Sequence, residues 1–176
     1  VSPPRTEDEI GPEESIEPSL CDDPAKRRAC DADAAAAEAR NKIKERADNE
    51  NQSVAYRERT AILYRNDQGG VSVGKIGEGP PMTGSAPWIW ETEAGAPITA
   101  DRLVGMLHLH PGSNSPSAPD WEYFEALGAW MEQSGANPDN LRIYIVGIPH
   151  PQSPITVFSL AERSDGVEVN PDGQPC

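Results

Sequence analysis

Two histidines, His108 and His110, stand one residue apart at the end of the apolar stretch RLVGMLHL, residues 102–109. Alternate side chains of an extended strand point the same way, so both imidazoles can reach one metal ion. Asp120 returns after a short Gly, Ser and Pro loop, at the start of an expected helix. Two imidazoles and one carboxylate leave a fourth position open to water, the ligand pattern of catalytic rather than structural zinc. Water in that position is acidified towards neutrality and becomes a nucleophile. Hydrolysis there also needs a proton acceptor and a donor to the developing oxyanion. Glu58, which opens the stretch ERTAILYR, is the candidate acceptor, with Glu50 a second choice. Ser117, three residues before Asp120, is the candidate donor. Asp101 is a candidate for orienting His108 from behind.

The elements that must position these groups are readable from pattern. Residues 58–65 carry an apolar centre, NDQGG is a turn signal, and VSVGKI is the expected returning strand. RLVGMLHL reads as a buried strand that delivers the histidines. Ser117 suits a helix N-cap, Pro119 the first turn, and Asp120 the positive end of the helix dipole. The helix is expected to run to about Gln133 and to end at Ser134-Gly135. Its Trp121, Phe124, Leu127 and Trp130 recur at spacings of three, which predicts that both tryptophans pack in the core. LRIYIVGI and ITVFSL, joined by PHPQSP, read as a hairpin with His150 exposed in its turn. Residues 77–100 form a long Gly- and Pro-rich connection. Within it Trp88 and Trp90 either wall a substrate cleft or alternate along a short strand.

Residues 24–50 are Ala-rich with opposite charges at helical spacing, Glu38 with Lys42 among them, and predict a helix with a thin alanine face. Residues 1–20 are rich in Pro, Glu and Ser, and bury too little apolar surface to offset their ordering entropy. The division expected is therefore an acidic flexible arm over 1–23, an Ala-rich helix over 24–52, a domain over 53–165 and a flexible tail over 166–176. The order of elements predicts an α/β or α+β fold, with helices packed on a curved mixed sheet.

The 176 residues carry 15 Lys and Arg against 29 Asp and Glu, a net charge of −14. That balance argues against nucleic acid as a partner, because Lys and Arg supply most of the affinity for phosphate backbones. No apolar run is long enough to span a bilayer and no signal-peptide pattern opens the chain, which begins at Val1 as a processed or excised domain would. The compartment stays open. Cys21 and Cys30 flank a short helical stretch and can pair in an oxidising compartment or remain thiols; Cys176 is distant.

Glu58, then His108-Leu109-His110-Pro111, then Ser117-Ala118-Pro119-Asp120 at a helix start resembles the JAMM motif of the JAB/MPN metallopeptidase superfamily. The resemblance spans most of residues 56–160. It implies a zinc-dependent hydrolase of peptide or isopeptide bonds, with His108, His110 and Asp120 on zinc, Glu58 as base on the water, and Ser117 helping the oxyanion. The six residues between His110 and Ser117 are one fewer than the family's usual spacing, which puts the aim of Ser117 in doubt. Within the superfamily the chain is most similar to bacterial JAB-like domains at the C-terminus of Rhs-type polymorphic toxins. That similarity implies an effector released from a larger carrier, a protein substrate and a cognate immunity protein. A RadC-type branch with a related loop implies a nuclease instead, and metal-free relatives imply a non-catalytic interaction module.

Overall fold

The computed structural model describes residues 24–50, 57–80, 86–111, 115–148, 154–163 and 166–169. The acidic arm, Cys21 with its pairing to Cys30, and His150 lie outside them.

Helix α1, Pro24–Asp48, places Ala32, Ala35, Ala36, Ala39 and Ile43 on one buried face. Alanine loses no side-chain entropy in a helix, and a stripe of it lets the helix lie close against a sheet. Opposite charges decorate the outer face, with Lys42 3.4 Å from Glu38. Strands β1 (Arg59–Arg65) and β2 (Val71–Val73) form the expected hairpin, whose turn is closed by backbone amides of Gln68 and Gly70 donating to the Asn66 side chain. Strand β3 is the two-residue Gly77–Glu78, also paired with β1.

Strand β4, Leu103–Pro111, pairs antiparallel with β1 and parallel with β5, Arg142–Ile148. Helix α2, Ala118–Gln133, is the crossover that parallel pairing requires. Strands β6 (Ile155–Phe158) and β7 (Val167–Glu168) continue the sheet antiparallel, in the order β2-β1-β4-β5-β6-β7. The fold is mixed α and β with an N-terminal helix, as the order of elements predicts. Val167–Glu168, within the stretch expected as a tail, forms the last edge strand because its neighbour Val169 is buried against α1's side of the sheet.

The two faces of the sheet carry separate cores. Ala61, Leu63, Leu107, Leu109, Tyr144 and Val146 face α1. Ile62, Met106, Ile143, Ile145 and Phe158 face α2 with its Phe124, Leu127 and Met131. One tryptophan departs from expectation. Trp121 is partly buried against the α2 core, but Trp130 is 41% exposed. Phe124, Leu127, Gly128 and Met131 define the buried stripe, and position 130 falls beside it.

Candidate metal centre

The pleat of β4 decides which side receives the histidines. Leu107 and Leu109 point towards α1, so Met106, His108 and His110 point towards α2. The same alternation in β1 sends Ala61 and Leu63 to α1 and Ile62 to α2. Thr60 lies opposite His108, and Glu58 therefore emerges on the histidine side while Arg59 turns to the other. His108 and His110 sit at the carboxyl end of a parallel strand, beside the N-terminus of its crossover helix. That crevice is where open α/β sheets bind ligands.

Ser117 and Asp120 are fixed by one local device. The Ser117 backbone amide donates to Asp120 Oδ2 at 2.9 Å, and the Asp120 amide donates to Ser117 Oγ at 3.3 Å, a reciprocal capping box at the start of α2. The Asp120 carboxylate then faces both imidazoles, with Oδ1 3.8 Å from His108 Nδ1 and Oδ2 3.5 Å from His110 Nε2. Burial pushes its carboxyl up, but the hydrogen bonds from His110 and the Ser117 amide outweigh that and lower it to about 2. Asp120 is therefore an anion under all ordinary conditions.

His108 is buried, and Glu58 Oε1 lies 3.2 Å from its Nε2. A carboxylate can only accept, so it holds the ring hydrogen on Nε2 and leaves Nδ1 as the nitrogen with a lone pair. Nδ1 has no hydrogen-bond partner among the described residues and looks across 3.8 Å at Asp120 Oδ1. Two acceptors face one another there, an arrangement a cation satisfies. The donor set of two imidazoles and one carboxylate suits zinc, and 3.5 Å between His110 Nε2 and Asp120 Oδ2 is close to the edge of a zinc tetrahedron, about 3.4 Å. The groups meet in pairs rather than as a closed cage: among the described residues no three His, Cys, Asp or Glu side chains form a ready-made metal cluster. The fit rests on the donor chemistry and the orphaned Nδ1.

Comparison with models of protein families, with curated proteins and with solved structures gave no match. The resemblance to the JAB/MPN superfamily accordingly rests on the residues themselves.

The structure brings Glu58, His108, His110, Ser117 and Asp120 together at one end of β4. It separates the two lesser candidates from them. Asp101 lies in an exposed turn before β4 and takes a 2.5 Å hydrogen bond from Thr99, at the far end of the strand from His108. Glu50 turns to the α1 side, where it pairs with Arg57 at 3.0 Å and with the fully buried Arg59. Arg59 also donates to Glu78 at 2.9 Å, and this ion cluster anchors the start of β1 directly behind Glu58. Strand alternation at residues 58 and 59 predicts opposite faces, but only the fold reveals what waits on each.

Trp88 is a neighbour of the site, its ring 5.9 Å from His108 and edge-on to it. The loop carrying it crosses tightly over β1 and β3. Thr60 Oγ1 donates to the Pro87 carbonyl at 2.6 Å, and a Cβ at Gly77 would collide with that same carbonyl. Trp88 and Trp90 both lie in irregular backbone rather than in a short strand, and Trp88 is the one beside the site. A cavity of about 310 Å³ lies elsewhere, at the opposite end of β4 beside Leu103 and Arg142, and contains none of the site residues.

Proposed function

We propose that this chain is a zinc-dependent hydrolase of peptide or isopeptide bonds, of the JAB/MPN type, acting on a protein substrate. The observation that carries the reading is the pair of acceptors, the buried His108 Nδ1 facing the half-buried Asp120 Oδ1, with His110 on the other carboxylate oxygen. His108, His110 and Asp120 would hold the metal. A zinc ion there supplies a Lewis acid for the scissile carbonyl and an acidified water.

The chain's own groups divide the remaining work. Glu58 Oε1 orients the His108 ring, and Oε2, which has no partner among the described residues, is the oxygen that accepts a proton and hands it to the leaving amine. The Ser117 hydroxyl spends its acceptor capacity on the Asp120 amide, which leaves its hydrogen to donate to the carbonyl oxygen as charge develops. Trp88 covers one side of His108 and excludes water from it.

Elemental analysis after zinc-supplemented purification is expected to give about one zinc per chain, lost in His108→Ala and in Asp120→Ala. A metal-free wild-type protein would sink the site. Glu58→Gln is expected to retain zinc and lose cleavage of protein substrates by at least about 10²-fold; full activity in that variant would remove Glu58 as base. The delivered-effector reading adds that expression of the active chain is toxic to bacteria and that Glu58→Gln relieves it. Toxicity undiminished in that variant would point to binding rather than turnover.

A further inference from the structure

Trp88 is wedged between the two elements that carry the candidate metal ligands. Its ring is edge-on to His108 of β4 at 5.9 Å, parallel to Tyr123 at 6.1 Å and edge-on to Phe124 at 6.2 Å, the last two on α2. Residues three and four apart are neighbours on a helix, so Tyr123 and Phe124 flank Asp120 from the next turn. The indole therefore reaches from His108 to the part of α2 that carries Asp120. Interiors are close-packed, so a ring in that place fixes how the strand end and the helix start stand to one another.

The loop holds Trp88 from both sides. Thr60 is buried and lies opposite His108 in the pairing of β1 with β4, and its hydroxyl donates to the Pro87 carbonyl at 2.6 Å. Gly77 lies opposite Thr60 in the pairing of β1 with β3, and its lack of a side chain makes room for that carbonyl, which a Cβ would strike. On the far side the Ile98 amide donates to the Trp90 carbonyl at 3.0 Å. One residue of β1 is thus tied by register to His108 and by its side chain to the backbone next to Trp88. Groups behind the ligands that fix their placement tune how tightly and which metal is held.

We infer that Trp88, latched by Thr60 and Gly77, is a positioning residue that holds the gap between His108 and Asp120 fixed and so selects zinc over larger divalent ions. The inference rests on the metal centre of the hydrolase reading and adds what decides its ion. His108 Nδ1 and Asp120 Oδ1 stand 3.8 Å apart, and His110 Nε2 and Asp120 Oδ2 3.5 Å. Zinc takes short bonds of about 2.0–2.2 Å to such donors. A gap that cannot adjust therefore penalises an ion that needs longer ones, whereas a compliant gap fits itself to either. With the wedge in place the gap is of the first kind; without it β4 and α2 can settle around whatever ion is bound.

Zinc and cadmium ions are the probes, since cadmium has the same charge and a filled d shell but is larger. Affinities of the full chain for both are measured by competition with a chelating indicator. Wild type is expected to prefer zinc. Trp88→Leu is expected to weaken zinc by about 10-fold and cadmium by clearly less, so that the zinc-to-cadmium ratio falls. Thr60→Val keeps the side-chain shape and removes the hydrogen bond, and Gly77→Ala drives the Pro87 carbonyl away. Both are expected to lower the ratio in the same direction, and Thr60→Ser to return it to wild type. In the metal-free ¹⁵N spectrum of Thr60→Val the Trp88 indole N–H should move while that of Trp121 stays. Equal weakening of both ions, as general loosening would give, overturns the role of Trp88, as does an unchanged ratio in Trp88→Leu and Thr60→Val or a wild type that holds cadmium as tightly as zinc. Each of those results leaves the metal centre standing. A wild type that binds neither ion sinks the centre and the positioning role together. Both affinities are read without turnover, so a chain that cuts no protein fails the hydrolase reading while the ratio still decides the role of Trp88.

Discussion

The sheet carries a partly buried polar cluster on each face, Asp33 with Arg142 and Tyr144 on the α1 side and the candidate centre on the α2 side, and the two are finished to different degrees. On the α1 face, Asp33 Oδ1 accepts from the Tyr144 hydroxyl at 2.6 Å and from Arg142 Nη2 at 2.8 Å, and Arg142 Nε donates to the Tyr144 oxygen at 2.8 Å. The Tyr144 hydroxyl both donates and accepts, and no buried polar atom of the cluster is left without a partner among the described residues. On the α2 face, His108 Nδ1 is left without one and Asp120 turns a second acceptor towards it. A satisfied buried network contributes rigidity and a unique docking of α1 on β5, whereas an unsatisfied one costs stability and signals a group waiting for something.

The largest effect that would test this contrast is Asp33→Ala. It strips the acceptor from a half-buried guanidinium and a buried phenol at once, and is expected to cost about 2 kcal/mol in urea unfolding while leaving zinc content unchanged. His108→Phe is the counterpart. It removes the orphaned Nδ1 together with the Nε2–H that Glu58 accepts, so the metal-free protein is expected to lose no more than about 1 kcal/mol, with zinc binding lost. Equal destabilisation by the two substitutions would erase the distinction.

A smaller effect is expected from Ser117→Ala, about 1 kcal/mol from the lost N-cap. On the hydrolase reading it also lowers turnover by about 10²-fold, so activity unchanged alongside the stability loss would reduce Ser117 to a cap.

The smallest concerns pH. Burial foremost, with the Asp33 carboxylate adding to it and Arg142 opposing, holds the Tyr144 hydroxyl well above its ordinary value of 10. The neutral phenol is thus favoured in the folded state. Its contribution to stability is present in full below pH 10 and is lost as pH rises above that, where the unfolded chain ionises first. The urea midpoint should fall above pH 10 in wild type and fall less steeply in Tyr144→Phe. Parallel slopes in the two proteins would place the alkaline transition elsewhere.

Much of the candidate centre was legible because its signals are local. The one-residue spacing of His108 and His110 specifies a shared side on a strand, and Ser117 reads as an N-cap, which the structure extends to a capping box with Asp120. The long apolar runs of β1, β4 and β5 were equally plain. Neither buried charge cluster was readable, because Asp33 meets Tyr144 across 111 residues and Arg59 meets Glu78 across 19. Such pairings are decided by sheet order rather than by any pattern in a window. Trp130 was misplaced for a related reason: a wide apolar stripe on a helix leaves its edges undecided until the partner surface is known.

The register that sets Thr60 opposite His108 has a consequence for the order of assembly. Asp120 lies twelve residues after His108, within reach of a locally formed strand and helix start. Glu58 comes from fifty residues before it and contacts the ring only once β1 has paired with β4. Closing that longer loop carries the greater entropic cost and makes the pairing late. The histidines and the aspartate can therefore gather before the glutamate arrives, and on the hydrolase reading a half-folded chain would hold a site that binds before it can act.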